Sequence, residues 1–301
     1  MPPTKRALKT PAMANPAVAG NGGATQPSSK LRQYQSLTES AALVDRSQVG
    51  RLKVSGHDAL DLLNRLSTNK LDDLTSGHGV GTVLTTNKGR VIDLLFITAL
   101  DDYLLLLTSP GRQHKVADWI DFYNFGEDVE VEDITEETMM LGIAGPEAPA
   151  AVRLALEADV AEIDRFDSVA AGNRIIIKTD FLGSTAFDIV GEHSIVEDAT
   201  RLFEAHGVGA ADPDLVEFVR VENRIPGPER ELTDDYNPLE AGLLTYVNFN
   251  KDCYIGQEVV ARLNTYDKVQ RHLVALEWET ESPLDPGTAL MADDRKVGTV
   301  T

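Results

Sequence analysis

The chain holds one cysteine, Cys253, in 301 residues. A single thiol forms no intramolecular disulfide, so cysteine usage gives no sign of an oxidising compartment. It also cannot hold an iron–sulfur cluster alone, since such clusters take about four thiolates. Long hydrophobic runs are missing too. Leu104–Leu107 is a short apolar run between polar neighbours, far below the roughly 18–20 residues that cross a bilayer. It reads as a buried strand, and no membrane contact is expected. Positive charge is scarce: 28 Lys and Arg stand against 48 Asp and Glu, a net charge of −20. Such a surface repels phosphate backbones, so direct nucleic-acid binding is not expected, although a local basic pocket is compatible with it.

Acidic residues are absent from Met1 to Ser29, which is rich in Pro, Ala, Gly, Thr and Asn and carries Lys5, Arg6 and Lys9. Residues 1–33 are expected to be a disordered tail. A basic, acid-free leader is also the composition of a transit peptide, although Pro11, Pro16 and Pro27 interrupt any long amphipathic helix. The expected location is cytoplasmic, with organellar targeting by this tail as the alternative.

What is present is an ordinary globular composition, 42% hydrophobic, with length for two domains or one large one. Arg51–Gly56 reads as a strand and turn, and His57–Leu66 as a helix with Leu62, Leu63 and Leu66 on one face. Gly77-His78-Gly79-Val80-Gly81 lacks dinucleotide-loop spacing, and a strand rather than a helix follows. Val83–Thr86 and Val91–Ile97 form a hairpin, Tyr103–Leu107 a third strand and Lys115–Phe122 a helix. The acidic run Glu127–Glu137 is a solvated edge strand without metal-loop spacing, and no metal is expected. Ile175–Lys178 and Ala186–Val190 are strands, and Ile195–His206 a helix. Two strand–helix–strand passages point to two related α+β units of ferredoxin-like type. In Val216–Pro226, Arg220 and Glu222 alternate with apolar residues, which places them on one strand face, paired with each other or lining a pocket.

Two places carry chemistry. Asp93 lies among buried strands, where a carboxylate has a raised pKa and can move protons, or is held as a structural group. Asn250–Arg262 brings Lys251, Cys253, Tyr254, Gln257, Glu258 and Arg262 into a dozen residues. Gly256 permits a tight turn, and Gln257–Leu263 reads as a helix. Glu258 and Arg262 are spaced to pair, and Val259 and Leu263 to face the core. Cys253 is a reactive thiol if Lys251 or the helix start lowers its pKa, or else a small buried residue.

Lys251-Asp252-Cys253-Tyr254-Ile255-Gly256-Gln257-Glu258 resembles the K-G-C-Y-x-G-Q-E signature of the YgfZ-type folate-binding proteins, relatives of the glycine-cleavage T-protein. Asp252 replaces the usual glycine. The resemblance runs from about Tyr34 to Thr301 and is most specific at Lys251–Arg262. It implies an α+β cloverleaf with ferredoxin-like folate-binding units across residues 34–270, divided as 34–135 and 136–217, with 218–270 returning to the pocket. A C-terminal β-barrel is implied next, of which residues 271–301 hold only the start. The implied ligand is tetrahydrofolate, and the implied role is support of iron–sulfur enzymes, extending through them to tRNA modification. Those client enzymes are the implied partners.

The same resemblance makes Cys253 and Asp93 the reactive residues. It makes Lys251, Tyr254, Gln257, Glu258 and Arg262 ligand contacts, with Arg220 and Glu222 in the pocket wall. Lys251, Arg262 and Lys268 carry charge suited to the carboxylate tail of folate. Two departures matter. The T-protein G-x-x-x-D-D pattern reads Gly89-Arg90-Val91-Ile92-Asp93-Leu94, with one aspartate. The glutamate that contacts the pterin in T-G-x-x-G-E is Ser184 here. A true aminomethyltransferase is therefore the alternative reading, and a non-enzymatic interaction protein on the same fold the second alternative. Whether the chain is an enzyme stays open at this point.

Overall fold

A computed structural model describes residues 29–278 and 284–301. Residues 1–28 of the expected tail lie outside that range. Residues 29–33 are not tail but the start of a helix, α1 (Ser29–Glu39), which leads into strand β1 (Ala42–Asp45).

The next segment alternates as one unit: β2 (Gly50–Ser55), α2 (Ala59–Leu66), β3 (Gly79–Thr85), β4 (Val91–Ala99), β5 (Leu104–Thr108), α3 (Gln113–Phe122) and β6 (Glu130–Asp133). A second unit follows: β7 (Thr138–Ala144), α4 (Ala148–Leu156), β8 (Ser168–Ala171), β9 (Arg174–Thr179), β10 (Ala186–Glu192) and α5 (His193–Ala205). The first sheet runs β3-β4-β5-β2-β6 and the second β8-β9-β10-β7-β1, with every neighbour antiparallel. The two orders are the same when β2 is matched to β7. Both units thus share one ferredoxin-like plan with an added strand. The second unit has no closing strand of its own. β1, which precedes the first unit in sequence, takes that place beside β7, with Ala42 opposite Ala144.

The four leucines of β5 are explained by its central place. Leu104 and Leu106 face α2 and α3, joining Leu62, Leu63, Leu66, Val116 and Ile120. Leu105 and Leu107 face the other sheet and pack on Met140, Ile177 and Val190. A strand buried on both faces loses the alternation of a half-exposed one. Each such side chain contributes about 1.5–3 kcal/mol on burial, so this seam holds the sheets together. The acidic β6 is an edge strand, as its charge requires.

Two arginines, one partly and one fully buried, pin the crossover from β1 to β2. Arg46 Nε lies 2.7 Å from Asp188 Oδ1, with the guanidinium 4.0 Å from the Phe181 ring centroid. Asp188 is fully buried, which pushes its carboxyl up while Arg46 opposes the shift. Arg51 is also fully buried. Its guanidinium donates to the carbonyls of Ser47, Val49, Thr135 and Thr138, and its Nε to Thr138 Oγ1. These bonds match the five donors of an arginine.

The remaining elements are α6 (Pro213–Glu222), a 3₁₀ turn Leu244–Tyr246, α7 (Gln257–Thr265) and the hairpin β11 (Ala289–Ala292) and β12 (Arg295–Thr299). Three expectations are corrected. Residues 213–222 are helical, started by Asp212 capping the Asp214 N–H and by Pro213 in the first turn. Arg220 and Glu222 therefore do not share a strand face. Residues 271–278 carry no regular structure, where new strand material was expected. The C-terminal sheet is a two-stranded hairpin, and no barrel is formed among the described residues.

Candidate functional site

The signature segment folds against two pieces of the first unit, the C-terminal end of α2 and the β3–β4 turn. Helix ends leave carbonyls without intrahelical donors. Lys251 supplies them. Its Nζ donates to the carbonyls of Asn64 (2.6 Å), Ser67 (2.8 Å) and Asn69 (2.7 Å). An ammonium has three donors, and all three are used. Burial lowers the Lys251 pKa to about 8, against the nearby charges of Asp72 and Asp252. The expectation that Lys251 offers a free charge to a ligand tail is therefore corrected: its ammonium is enclosed by backbone.

The next residues dock by their backbone. Ile255 N donates to Arg65 O at 3.1 Å, and Thr85 Oγ1 donates to Ile255 O at 2.5 Å. Gly256 has φ +86, and a Cβ there would lie 2.5 Å from Thr86 O and 3.0 Å from Gly89 Cα. Both the dihedral and the space demand glycine. Gly256→Ala is expected to destabilise the protein by at least about 2 kcal/mol, read as a lowered urea midpoint with an unchanged slope. α7 then starts at Gln257, as expected. Its core-facing residue is Val260, not Val259, which is exposed. Leu263 is half-buried, in part as expected. Glu258 and Arg262 are exposed, and among the described residues they form no ion pair with each other.

Within this frame the side chains differ sharply. Cys253 is exposed, so it is not the small buried residue of the bland reading. Tyr254 is buried, its hydroxyl lacks a hydrogen-bond partner, and burial pushes its pKa up to about 12. The Lys251 ammonium lies 5.5 Å from the Tyr254 ring centroid. Gln257 Nε2 reaches back to Lys251 O at 3.5 Å.

Asp93 sits on β4 at a register shift opposite Leu84 and Thr85. It is 1% exposed and accepts the Ser109 N–H at 2.9 Å. Burial raises its pKa to about 6, against the Ser109 hydrogen bonds and the charge of Arg112. A carboxyl of that pKa is suited to proton transfer near neutrality. The neighbouring Leu94 is turned into another buried cluster with Val83, Val91 and Leu243.

Arg220 and Glu222 are not brought to this segment. Arg220 pairs with Glu217 and reaches Ile225 O and Glu231, while Glu222 accepts from the Tyr34 hydroxyl on α1. Neither set of contacts includes a signature residue.

Sequence reading missed an aromatic group just before the signature. Phe96 of β4 stacks on Phe166 at 4.9 Å, and Tyr246 meets Phe96 edge-on at 6.1 Å. The Tyr246 ring lies over Gly81, where a Cβ would come within 2.6 Å of it. Arg165 sits 4.4 Å above the Phe166 ring and donates from Nη2 to the Tyr246 hydroxyl, and the same Nη2 pairs with Asp180 at 2.8 Å. Phe166 holds φ +74, an unfavourable value for a bulky side chain. Thr68 ties this group to the signature: its hydroxyl donates to Tyr246 O and its carbonyl accepts from Asn248 N. The nearest sequence signal was Arg165-Phe166 side by side in a loop, which is unspecific.

The comparisons with known proteins bear on this arrangement. A family model described as the GCVT N-terminal domain matches residues 25–251. The chain belongs to that family. The match ends where the signature begins, so it covers the two units and the lead-in. A chloroplastic transferase-like protein of Arabidopsis thaliana is 31% identical over 276 residues, covering 86% of this chain and 61% of that relative. The aminomethyltransferase of Halalkalibacterium halodurans is 27% identical over 288 residues, covering 91% of this chain and 77% of its own length. That of Geobacillus kaustophilus is 29% identical over 289 residues, at 91% and 78% coverage. The crystal structure of glycine cleavage system aminomethyltransferase T from Bartonella henselae superposes with a TM-score of 0.72 at 18% identity, covering 79% of this chain and 66% of that one. The chain thus spans under two thirds of the Arabidopsis relative and about three quarters of the bacterial ones. It has the GCVT-family aminomethyltransferase fold.

Proposed function

We propose that this GCVT-family chain binds tetrahydrofolate and, as a YgfZ-like protein, supports iron–sulfur enzymes rather than running a T-protein cycle. The observation that carries the reading is the pairing of an exposed Cys253 with a signature loop pinned by the Lys251 cage and Gly256. A thiol on a fixed loop is available to a partner without unfolding. The aromatic group supports the ligand. A pterin is a flat ring that needs an apolar slot with a few polar groups. Phe96, Phe166 and Tyr246, packed on one another, supply one apolar wall for it, and Arg165 and Asp180 the polar edge. The strain held at Phe166 fits a side chain kept in place for a task. Of the three cations suited to the carboxylate tail, Arg262 and Lys268 are exposed and free to bind it.

Titration calorimetry with 5-formyl-tetrahydrofolate tests the ligand. Binding at about micromolar strength is expected, and no heat from well-folded protein would overturn the reading. Cys253→Ala is expected to leave stability within about 0.5 kcal/mol and folate binding unchanged, while removing support of iron–sulfur enzymes in a complementation assay. Unchanged complementation would retire the thiol.

Asp93 favours a second reading, aminomethyl transfer to tetrahydrofolate, because its carboxyl is tuned to about 6. Against it, the second aspartate of the T-protein pattern is Leu94 and the pterin-contacting glutamate is Ser184. Turnover with an aminomethyl donor separates the two: product formation abolished by Asp93→Asn would establish the second reading.

A further inference from the structure

The outer end of α3 carries an aromatic surface that the packed sheets and the signature loop do not use. Phe122 is 65% exposed and Phe125 82%. Trp119 and Phe122 stack at 6.3 Å, and Tyr123 meets them edge-on at 5.1 and 5.0 Å. Trp119 Nε1 is buried without an acceptor. Val116 and Ile120 of this helix are buried in the core, and Trp119 and Tyr123 pack against it in part, which leaves Phe122 and Phe125 as the exposed rings. Phe122 and Phe125 leave most of their ring surface in water despite the ring contacts of Phe122, and exposed apolar patches mark interaction sites.

The rim defines what fits. Asp118, Asp121 and Asp128 are exposed beside the aromatics, and Glu127 closes the loop by accepting the Phe125 N–H at 2.6 Å. Of the nearby basic groups, Arg65 is neutralised by Asp61 and Glu127, and Lys53 by Glu132. His114 lies 3.7 Å from Asp133, and among the described residues Arg112 and Lys115, both at the far end of α3, form no ion pair. The rim is therefore acidic. A second copy would set this rim against itself on a molecule of net charge −20, and anionic lipid or nucleic acid would be repelled in the same way. Exposed aromatic faces also attract cations.

We propose that this patch docks a basic segment of a partner protein, one that carries large apolar side chains flanked by Lys or Arg. The apolar residues cover Phe122 and Phe125, and the cations meet Asp118, Asp121 and Asp128. The proposal does not depend on the folate reading.

The test is calorimetric titration of the full chain with a short amphipathic lysine–leucine peptide and with its glutamate–leucine twin. The lysine peptide is expected to bind, more weakly as salt rises, and the glutamate peptide not to bind. Phe122→Ser with Phe125→Ser should weaken binding at least about tenfold with an unchanged melting temperature. Glu197→Gln with Glu204→Gln, on α5 of the other unit, controls for general charge and should leave affinity within about twofold. No binding, equal binding of both peptides, or equal loss in the two double variants would overturn the proposal. A concentration-dependent dimer abolished by Phe122→Ser with Phe125→Ser would overturn it in favour of a second copy.

Discussion

Lys251→Met is expected to destabilise the protein by about 3–5 kcal/mol, the range for removing one partner of a buried charged network. Methionine keeps the length and apolar stem of lysine but offers no donor. The carbonyls of Asn64, Ser67 and Asn69 would then stay buried facing each other. Lys251→Arg should not restore the loss, because a planar fork does not fit three carbonyls around one atom. Urea unfolding measures it, and a drop under about 1 kcal/mol would show that the cage is not a stabilising element. The loop bearing Cys253 should loosen with it. The folded variant is then expected to bind 5-formyl-tetrahydrofolate more weakly without the strong salt dependence of a direct tail contact.

Asp93→Asn is expected to stabilise the protein at pH 8 by about 1–3 kcal/mol and to give no gain at pH 4. The sign follows from the folded pKa, about 6 against the ordinary 3.8. Below about 4 the carboxyl is protonated folded and unfolded. Between there and about 6 the folded chain holds the proton and the unfolded chain does not, so stability falls as pH rises. Above about 6 the loss is complete. Asparagine keeps an oxygen for the Ser109 N–H and carries no charge to bury. A pH-resolved series of thermal melts reads the difference directly. If the variant is no more stable at pH 8 than the wild type, the buried carboxylate is not a cost to the fold. A stabilised variant that loses turnover would mark Asp93 as a group kept for chemistry at the expense of stability.

Much of the fold was legible because it rests on short-range pattern. Leu62, Leu63 and Leu66 mark α2 by spacing, Asn87-Lys88-Gly89 marks the hairpin turn, and Gly256 marks the start of α7. The clearest error has a physical source. Residues 213–222 contain Val216, Val219 and Val221, which favour strands, yet Asp212 and Pro213 start a helix and the contact with α1 keeps it. Local propensity lost to capping and packing. The site was half legible. The signature located the loop, but its chemistry depends on what the loop touches. Whether Lys251 faces solvent or three carbonyls is decided by the end of α2, where Ser67 lies 184 residues before Lys251 in the sequence. The same holds for Phe96, Phe166 and Tyr246, which only the closed fold brings together.

The place of β1 bears on how the protein is made. During synthesis β1 leaves the ribosome before any strand of its own sheet exists, and its partner β7 follows only after the whole first unit. Until then Ala42, Leu43 and Val44 form an apolar strand with no lateral partner. The second sheet is completed late, by a segment waiting at the opposite end of the nascent chain. Residues 136–217 expressed alone would lack this strand and expose the edge of β7 to any extended peptide. Supplied with a peptide spanning Ala42–Asp45, the same fragment has what its sheet needs to close, so the two pieces should reassemble in trans.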